Sequence, residues 1–347
     1  MNRHSLLAVS LSLLAASAPA QEQTAPAPQL DRFKPLAGTW EVSGTMKESA
    51  GDPEIPWTAR ETQRWVLGGH FMRQDTVIDF GDAMPKLVFI NFMGWDREHQ
   101  RYVSCGAANT GEVSFQEVFF PSDDTMVMVN SGTAAGELVV QRNVVEFTDD
   151  SYTFAIESAI GSSPFFTAIE GSAKKTAAVG ETLAAEASAS MAPPVEEMTL
   201  FAKMAGEYDF TGTVVPAPGE PSMEITGHES MALIFGGTVA SQTITGSAGP
   251  DVPPYEAVGF GGWNPVDMCF DMVAIDNMGS VGKMQMRVVD NKTVVGTMAS
   301  MMIGQPAVGR TTLILDAQGH IVESFTDAIF SNNEPTRTFS GKYTRTR

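Results

Sequence analysis

A shift of 168 residues lays this 347-residue chain over itself without a gap from Phe33 to Trp95. Ala37-Gly38-Thr39-Trp40 meets Ala205-Gly206-Glu207-Tyr208, and Gly44-Thr45 meets Gly212-Thr213. Glu61 meets Glu229, Gly68-Gly69 meets Gly236-Gly237, and Gln74 meets Gln242. Pro85 meets Pro253, and Phe92-Met93-Gly94-Trp95 meets Phe260-Gly261-Gly262-Trp263. The ends agree too: Ile169-Glu170-Gly171 matches Phe339-Ser340-Gly341 at a shift of 170. Glycine, proline and aromatic positions carry most of this match, and their backbone and packing roles are the hardest to replace. A repeat of this length is a duplicated domain, so any fold for one half must also suit the other.

The repeat divides the chain into a first copy at 30–175 and a second at 196–347. Between them, residues 176–195 are rich in alanine and end in Met191-Ala192-Pro193-Pro194, the composition of a linker. Residues 1–20 have the pattern of a secretory signal peptide: a short polar start with Arg3, an apolar run from Leu6 to Ala16, and Ala18-Pro19-Ala20 before cleavage. A Pro-rich spacer, 21–29, follows. The expected location is therefore periplasmic or secreted, with cleavage after Ala20. No other stretch has the length and apolarity of a membrane helix.

Each copy opens on a short amphipathic segment, Leu30, Phe33, Leu36 in one and Met198, Phe201, Met204 in the other. Alternation follows. Trp40, Val42, Gly44 and Met46 share one face against Glu41, Ser43 and Thr45, and Tyr208, Phe210, Gly212 and Val214 repeat this. Period two with one apolar face is a half-buried strand. Gly68-Gly69, between two alternating runs, suggests a two-residue hairpin loop. Further runs include Leu87 to Trp95, Val113 to Phe120, Glu137 to Val140, Asn143 to Phe147 and Tyr152 to Ile156. Many short strands with few helices mean an all-β fold, and closure into a barrel removes its exposed edges. The expectation is two tandem antiparallel β-barrels, each opened by a short helix.

Leu36-Ala37-Gly38-Thr39-Trp40-Glu41, Glu61, Leu67-Gly68-Gly69-His70-Phe71 and Gly94-Trp95-Asp96 with Tyr102 resemble the domain-of-unknown-function family 1579, mostly exported bacterial proteins. The Gly-x-Trp after a short helix also resembles lipocalin-like (calycin) barrels, where that Trp closes one barrel end. The resemblance is tighter in the first copy, since Tyr208 and Asn264 replace Trp40 and Asp96 in the second. It implies a fold and a compartment, and no reaction. By the same likeness Trp40, Trp95, Tyr208 and Trp263 are barrel-closing residues.

Charge and motifs exclude several functions. With 22 basic and 41 acidic residues the net charge is −19, which argues against nucleic acid and anionic lipid as partners. Two cysteines, Cys105 and Cys269, make no disulfide framework; one bridge or two buried thiols are open. The five histidines have no metal-ligand spacing, and there is no HExxH, so neither metal nor cofactor is expected. Haem would need an inward histidine, for which His70 and His320 are the nearest candidates. Met126/Met128 and Met284/Met286 lie at strand spacing, which suits core filling better than Cu(I) ligation.

A turn at Gly68-Gly69 places Glu61, Gln63, Trp65, His70, Met72 and Gln74 on one face. The second copy places Glu229, Met231, Leu233 and Gln242 likewise. That face is largely apolar and should point inward, making these ten residues the candidate lumen. A carboxylate facing a barrel interior needs a partner, a proton or water. It is either a polar anchor in a ligand cavity or part of a network that fixes the barrel. The leading functional expectation is non-enzymatic binding of a small apolar or amphipathic ligand. Alternatives are a hydrolase or isomerase-type enzyme using an inward Glu as general acid/base, and a structural role in the cell envelope. Sequence leaves the oligomeric state open.

Overall fold

The computed structural model describes residues 25–347 except 135–136, 178–190, 192, 216–217, 251, 303–304 and 332–333. The proposed leader, part of the spacer and most of the linker lie outside the described residues.

The first copy is a closed antiparallel barrel of ten strands joined in sequence order. These are β1 (Gly38–Met46), β2 (Ile55–Val66), β3 (Phe71–Asp79), β4 (Leu87–Asp96), β5 (Arg101–Ala108), β6 (Val113–Phe119), β7 (Thr125–Ala134), β8 (Glu137–Phe147), β9 (Ser151–Ile160) and β10 (Phe166–Thr176). β1 pairs with β10 to close it, Gly44 lying opposite Gly171.

The second copy repeats the closure with β11 (Gly206–Val214), β12 (Met223–Ile234), β13 (Val239–Ser247), β14 (Tyr255–Asn264), β15 (Cys269–Asp276), β16 (Val281–Asp290), β17 (Thr293–Met302), β18 (Gln305–Leu315), β19 (Ile321–Phe330) and β20 (Thr336–Arg345). Here Gly212 faces Gly341 across the β11–β20 seam.

One end of each barrel is plugged. In the first copy a 3-10 segment, Pro28–Leu36, buries Leu30, Phe33 and Leu36 against Trp40, Met72 and Met93. Trp40 Nε1 donates to Leu36 O at 2.8 Å. In the second copy a 3-10 turn, Glu196–Met198, leads into helix α1 (Thr199–Met204), and Tyr208 Oη donates to Met204 O at 2.7 Å. Tyrosine thus replaces tryptophan without losing the tie, because both carry an apolar ring with a donor at its tip. Trp95 stacks edge-on to Tyr102 and Trp263 to Phe270.

Two local expectations are corrected. Gly68-Gly69 is not a two-residue loop: a 3-10 turn runs over Leu67–Gly69, with Leu67 at φ 51° and Gly68 at φ 66°. Strand pairing survives, Trp65 opposite Met72, Gln63 opposite Gln74 and Glu61 opposite Thr76, because the loop grows symmetrically about the same centre. The expected break between Val140 and Asn143 is also absent. β8 runs through it, pairing with both β7 and β9. Cys105 and Cys269 are both free and buried.

Candidate functional site

Strand order sets which side chains face the interior of the first barrel. Its lumen has a volume of about 380 Å³. The plug, with Leu36 and Met93, floors it, and Thr110 and Glu112 are exposed at the opposite end.

Near the floor, Glu61 is buried and receives four side-chain donors. Tyr152 Oη (2.9 Å) and Gln63 Nε2 donate to Oε1. Gln74 Nε2 (2.6 Å) and Thr76 Oγ1 (3.3 Å) donate to Oε2. Burial pushes the Glu61 carboxyl above its ordinary value, and the four donors oppose that shift. Burial and the adjacent carboxylate push the Tyr152 phenol well up. From Gln74 the network continues: Asn91 Nδ2 donates to Gln74 Oε1 at 3.4 Å and to Ser104 Oγ at 2.8 Å.

The lumen is lined by both polar and apolar side chains. On β3 to β8, six successive strands each contribute an uncharged polar residue, Gln74, Asn91, Ser104, Gln116, Asn130 and Asn143, beside apolar ones such as Ile78, Phe89, Met126 and Val145. β9, β10, β1 and β2 contribute Phe154, Ile156, Ile169, Val42 and Trp57, beside Tyr152, Glu61 and Gln63. Among the described residues that line it there is no lysine, arginine or histidine.

In the second barrel, at the same shift of 168, Gln63, Ser104, Gln116 and Asn130 become Met231, Met272, Met284 and Met298. All four methionines are buried. The residues they pack on shrink in concert, Met128 becoming Gly296 and Gln141 becoming Gly309. A Cβ on Gly296 would lie 2.2 Å from Met284 Sδ, and one on Gly309 2.6 Å from Met298 Cε. Methionine, flexible and unbranched, occupies those notches. These side chains, with Phe210, Phe270 and Phe339, form the core of that barrel. Glu229 remains, with Gln242 Nε2 donating to Oε1 at 2.6 Å. The partners equivalent to Gln63 and Thr76 are lost to Met231 and Ile244. Tyr343, on the strand next to the one that would match Tyr152, approaches Glu229 without closing a hydrogen bond, and Oε2 has no partner. Burial pushes Glu229 up to about 7.

Glu61, Gln63 and Gln74 line the lumen. Trp65, His70 and Met72 do not. Trp65 and Met72 pack on the plug, and His70 ends the 3-10 turn, buried. They are the residues nearest the turn, below the level of the plug, so an inward side chain there meets the plug and not the cavity. Met231 and Leu233 belong to the second core. His320 faces Asp316 (Nδ1 to Oδ2, 3.1 Å) in the β18–β19 turn, so neither histidine considered for haem reaches the first lumen. Among the described residues no cluster of His, Cys, Asp and Glu is able to hold a metal ion. Sequence reading missed Asn91, Ser104, Gln116, Asn130, Gln141 and Asn143. For five of them the signal was present in the repeat: Asn91, Ser104, Gln116, Asn130 and Gln141 are polar where the other copy has Gly259, Met272, Met284, Met298 and Gly309, while Asn143 meets Thr311.

Residues 25–171 match the family described as Protein of unknown function (DUF1579), so the first copy carries the resemblance drawn from its motifs. No curated protein matches the chain. Among solved structures, Rv2717c from M. tuberculosis is 14% identical, covering 44% of this chain and 99% of that one at a TM-score of 0.35. A protein with unknown function from the DUF3598 family of Nostoc punctiforme is 10% identical, covering 92% of this chain and 99% of that one at a TM-score of 0.28.

Proposed function

We propose that the first barrel is a non-enzymatic binding module for a small amphipathic molecule, and that the second is its filled, structural companion. One observation carries this reading: among the described residues the first copy holds a cavity lined by polar and apolar side chains, and the second copy places buried methionines at four of the matching lining positions. Small-molecule sites are concave, mostly apolar and furnished with a few placed polar groups. Glu61 is not poised as an acid/base, because its two oxygens already take four donors and a carboxylate has about four acceptor sites; it holds Gln63, Gln74 and Tyr152 in place at the lumen. The leader-like residues 1–20 support a site of action outside the cytoplasm, and no helix among the described residues is long and apolar enough to cross a membrane.

The repeat supplies its own control. Exchanging Gln116→Met, Met128→Gly, Asn130→Met and Gln141→Gly together writes the second copy's packing into the first. The wild-type chain is expected to take up one Nile red per molecule with a blue shift, and the fourfold variant, folded by circular dichroism, none. Equal dye uptake by both would remove the lumen from the explanation.

A further inference from the structure

Resting on that reading, we infer that the first barrel selects uncharged amphiphiles whose polar edge carries hydroxyl or amide groups, and rejects ions of either sign. The first ground is the polar lining. Amides and hydroxyls both donate and accept, as alcohols and amides in a ligand do. Adjacent strands supply such groups in register, Gln74 opposite Asn91, Ser104 opposite Gln116 and Asn130 opposite Gln141.

The second ground is the cost of a charge. An ion taken into such a space is stable only when paired. Among the described residues no cationic side chain lines the lumen, so an anion finds no partner there. A cation finds only two carboxylates. Glu61 is occupied by Gln63, Gln74, Thr76 and Tyr152, and Glu112 lies at the rim, where desolvation of its carboxyl pushes it above its ordinary value. The loops at the rim repel anions further. They carry Glu48, Asp52, Glu54, Asp79 and Asp82, and their two lysines are already engaged, Lys47 with Glu54 at 3.0 Å and Lys86 with Asp79 at 3.2 Å.

The test is a series with one eight-carbon tail and four heads: octyl glucoside, octanol, octylamine and octanoate, each titrated below its micellar range into the full chain by calorimetry. Octyl glucoside is expected to saturate one site per chain and to bind at least about tenfold more tightly than either ion, a difference of about 1.4 kcal/mol. Gln116→Leu and Asn143→Leu should each weaken octyl glucoside while leaving octanol unchanged. Octylamine or octanoate binding as tightly as the glucoside overturns the inference and leaves lumen binding standing. So does octanol binding when the glucoside is refused. If none of the four binds saturably, the inference and the reading beneath it both fall.

Discussion

Glu61 and Glu229 show how the same residue is handled by two sets of neighbours. Glu61 keeps four donors, so burial is opposed by charge-assisted hydrogen bonds. Glu229 keeps one good donor, Gln242, and burial pushes it up to about 7 from 4.5. A carboxyl whose folded pKa is raised holds its proton more tightly folded than unfolded. Its favourable contribution is therefore complete below about pH 4.5 and is lost as pH rises through about 7. The full swing is up to about 3 kcal/mol. Asp276, buried and pushed up to about 7, adds a slope of the same sign in the same barrel. The expected outcome is a second barrel more stable at pH 5 than at pH 8.5. Glu229→Gln, which stays neutral, should gain roughly 2 kcal/mol on the wild type between those two values in urea unfolding. A difference between the two proteins that does not change with pH would place the Glu229 proton elsewhere. The inward direction of both glutamates was legible in the sequence, because register follows from alternation. The number of donors around each was not, since Tyr152 reaches Glu61 from a strand 91 residues away.

At the scale of elements, closure depends on the two seams. Gly44 faces Gly171 and Gly212 faces Gly341. A Cβ on Gly44 would lie 2.0 Å from Glu170 O and 2.8 Å from Gly171 Cα; on Gly212 it would lie 2.4 Å from Ser340 O. Backbone on the partner strand cannot yield without opening the ladder. Gly44→Ala and Gly212→Ala should thus each cost about 3 kcal/mol or more, at the severe end for single substitutions. Gly132→Ala, whose Cβ meets nothing within 4 Å, should be neutral or slightly stabilising. Thermal unfolding of the three variants checks this, and an Ala tolerated at either seam would contradict the close approach. The glycines at 44, 171, 212 and 341 stood out in the repeat, so barrel closure was within reach of the sequence. The length of β8 was not. Gln141 and Asn143 face a polar-walled lumen, and alternation of amides with other polar residues looks like a loop. The same reasoning hid a further pair, Asn109 and Asn277. Asn109 accepts from Val88 N and donates to Lys86 O at 2.9 Å, and Asn277 does the same with Glu256 N and Pro254 O, 2.8 Å for the latter. Each ties a strand start to a turn beyond Trp95, the end of the ungapped match.

For the whole molecule, duplication supplies two closed sheets with separate cores, Trp40 and Phe33 in one and Tyr208 and Phe201 in the other. A domain with its own core and no shared strand is a cooperative unit by itself. Among the described residues the first unit holds a lumen of about 380 Å³, and the second places buried Met272, Met284 and Met298 at positions that line it in the first. Open space forfeits the dispersion contacts that a filled core makes, so the first barrel should unfold first. Trp40, Trp57, Trp65 and Trp95 belong to that barrel and Trp263 alone to the other, so tryptophan emission follows mainly the first transition while far-ultraviolet dichroism follows both. The expected result is two steps by dichroism and chiefly the earlier one by fluorescence. A ligand that enters the first lumen raises the earlier midpoint by mass action, by about 2.7 kcal/mol at a hundredfold excess over its Kd, and leaves the later midpoint in place. A single transition seen equally by both probes, or a ligand that moves the two midpoints together, would mean that the barrels share their stability and that the division of roles between an open copy and a filled one does not hold.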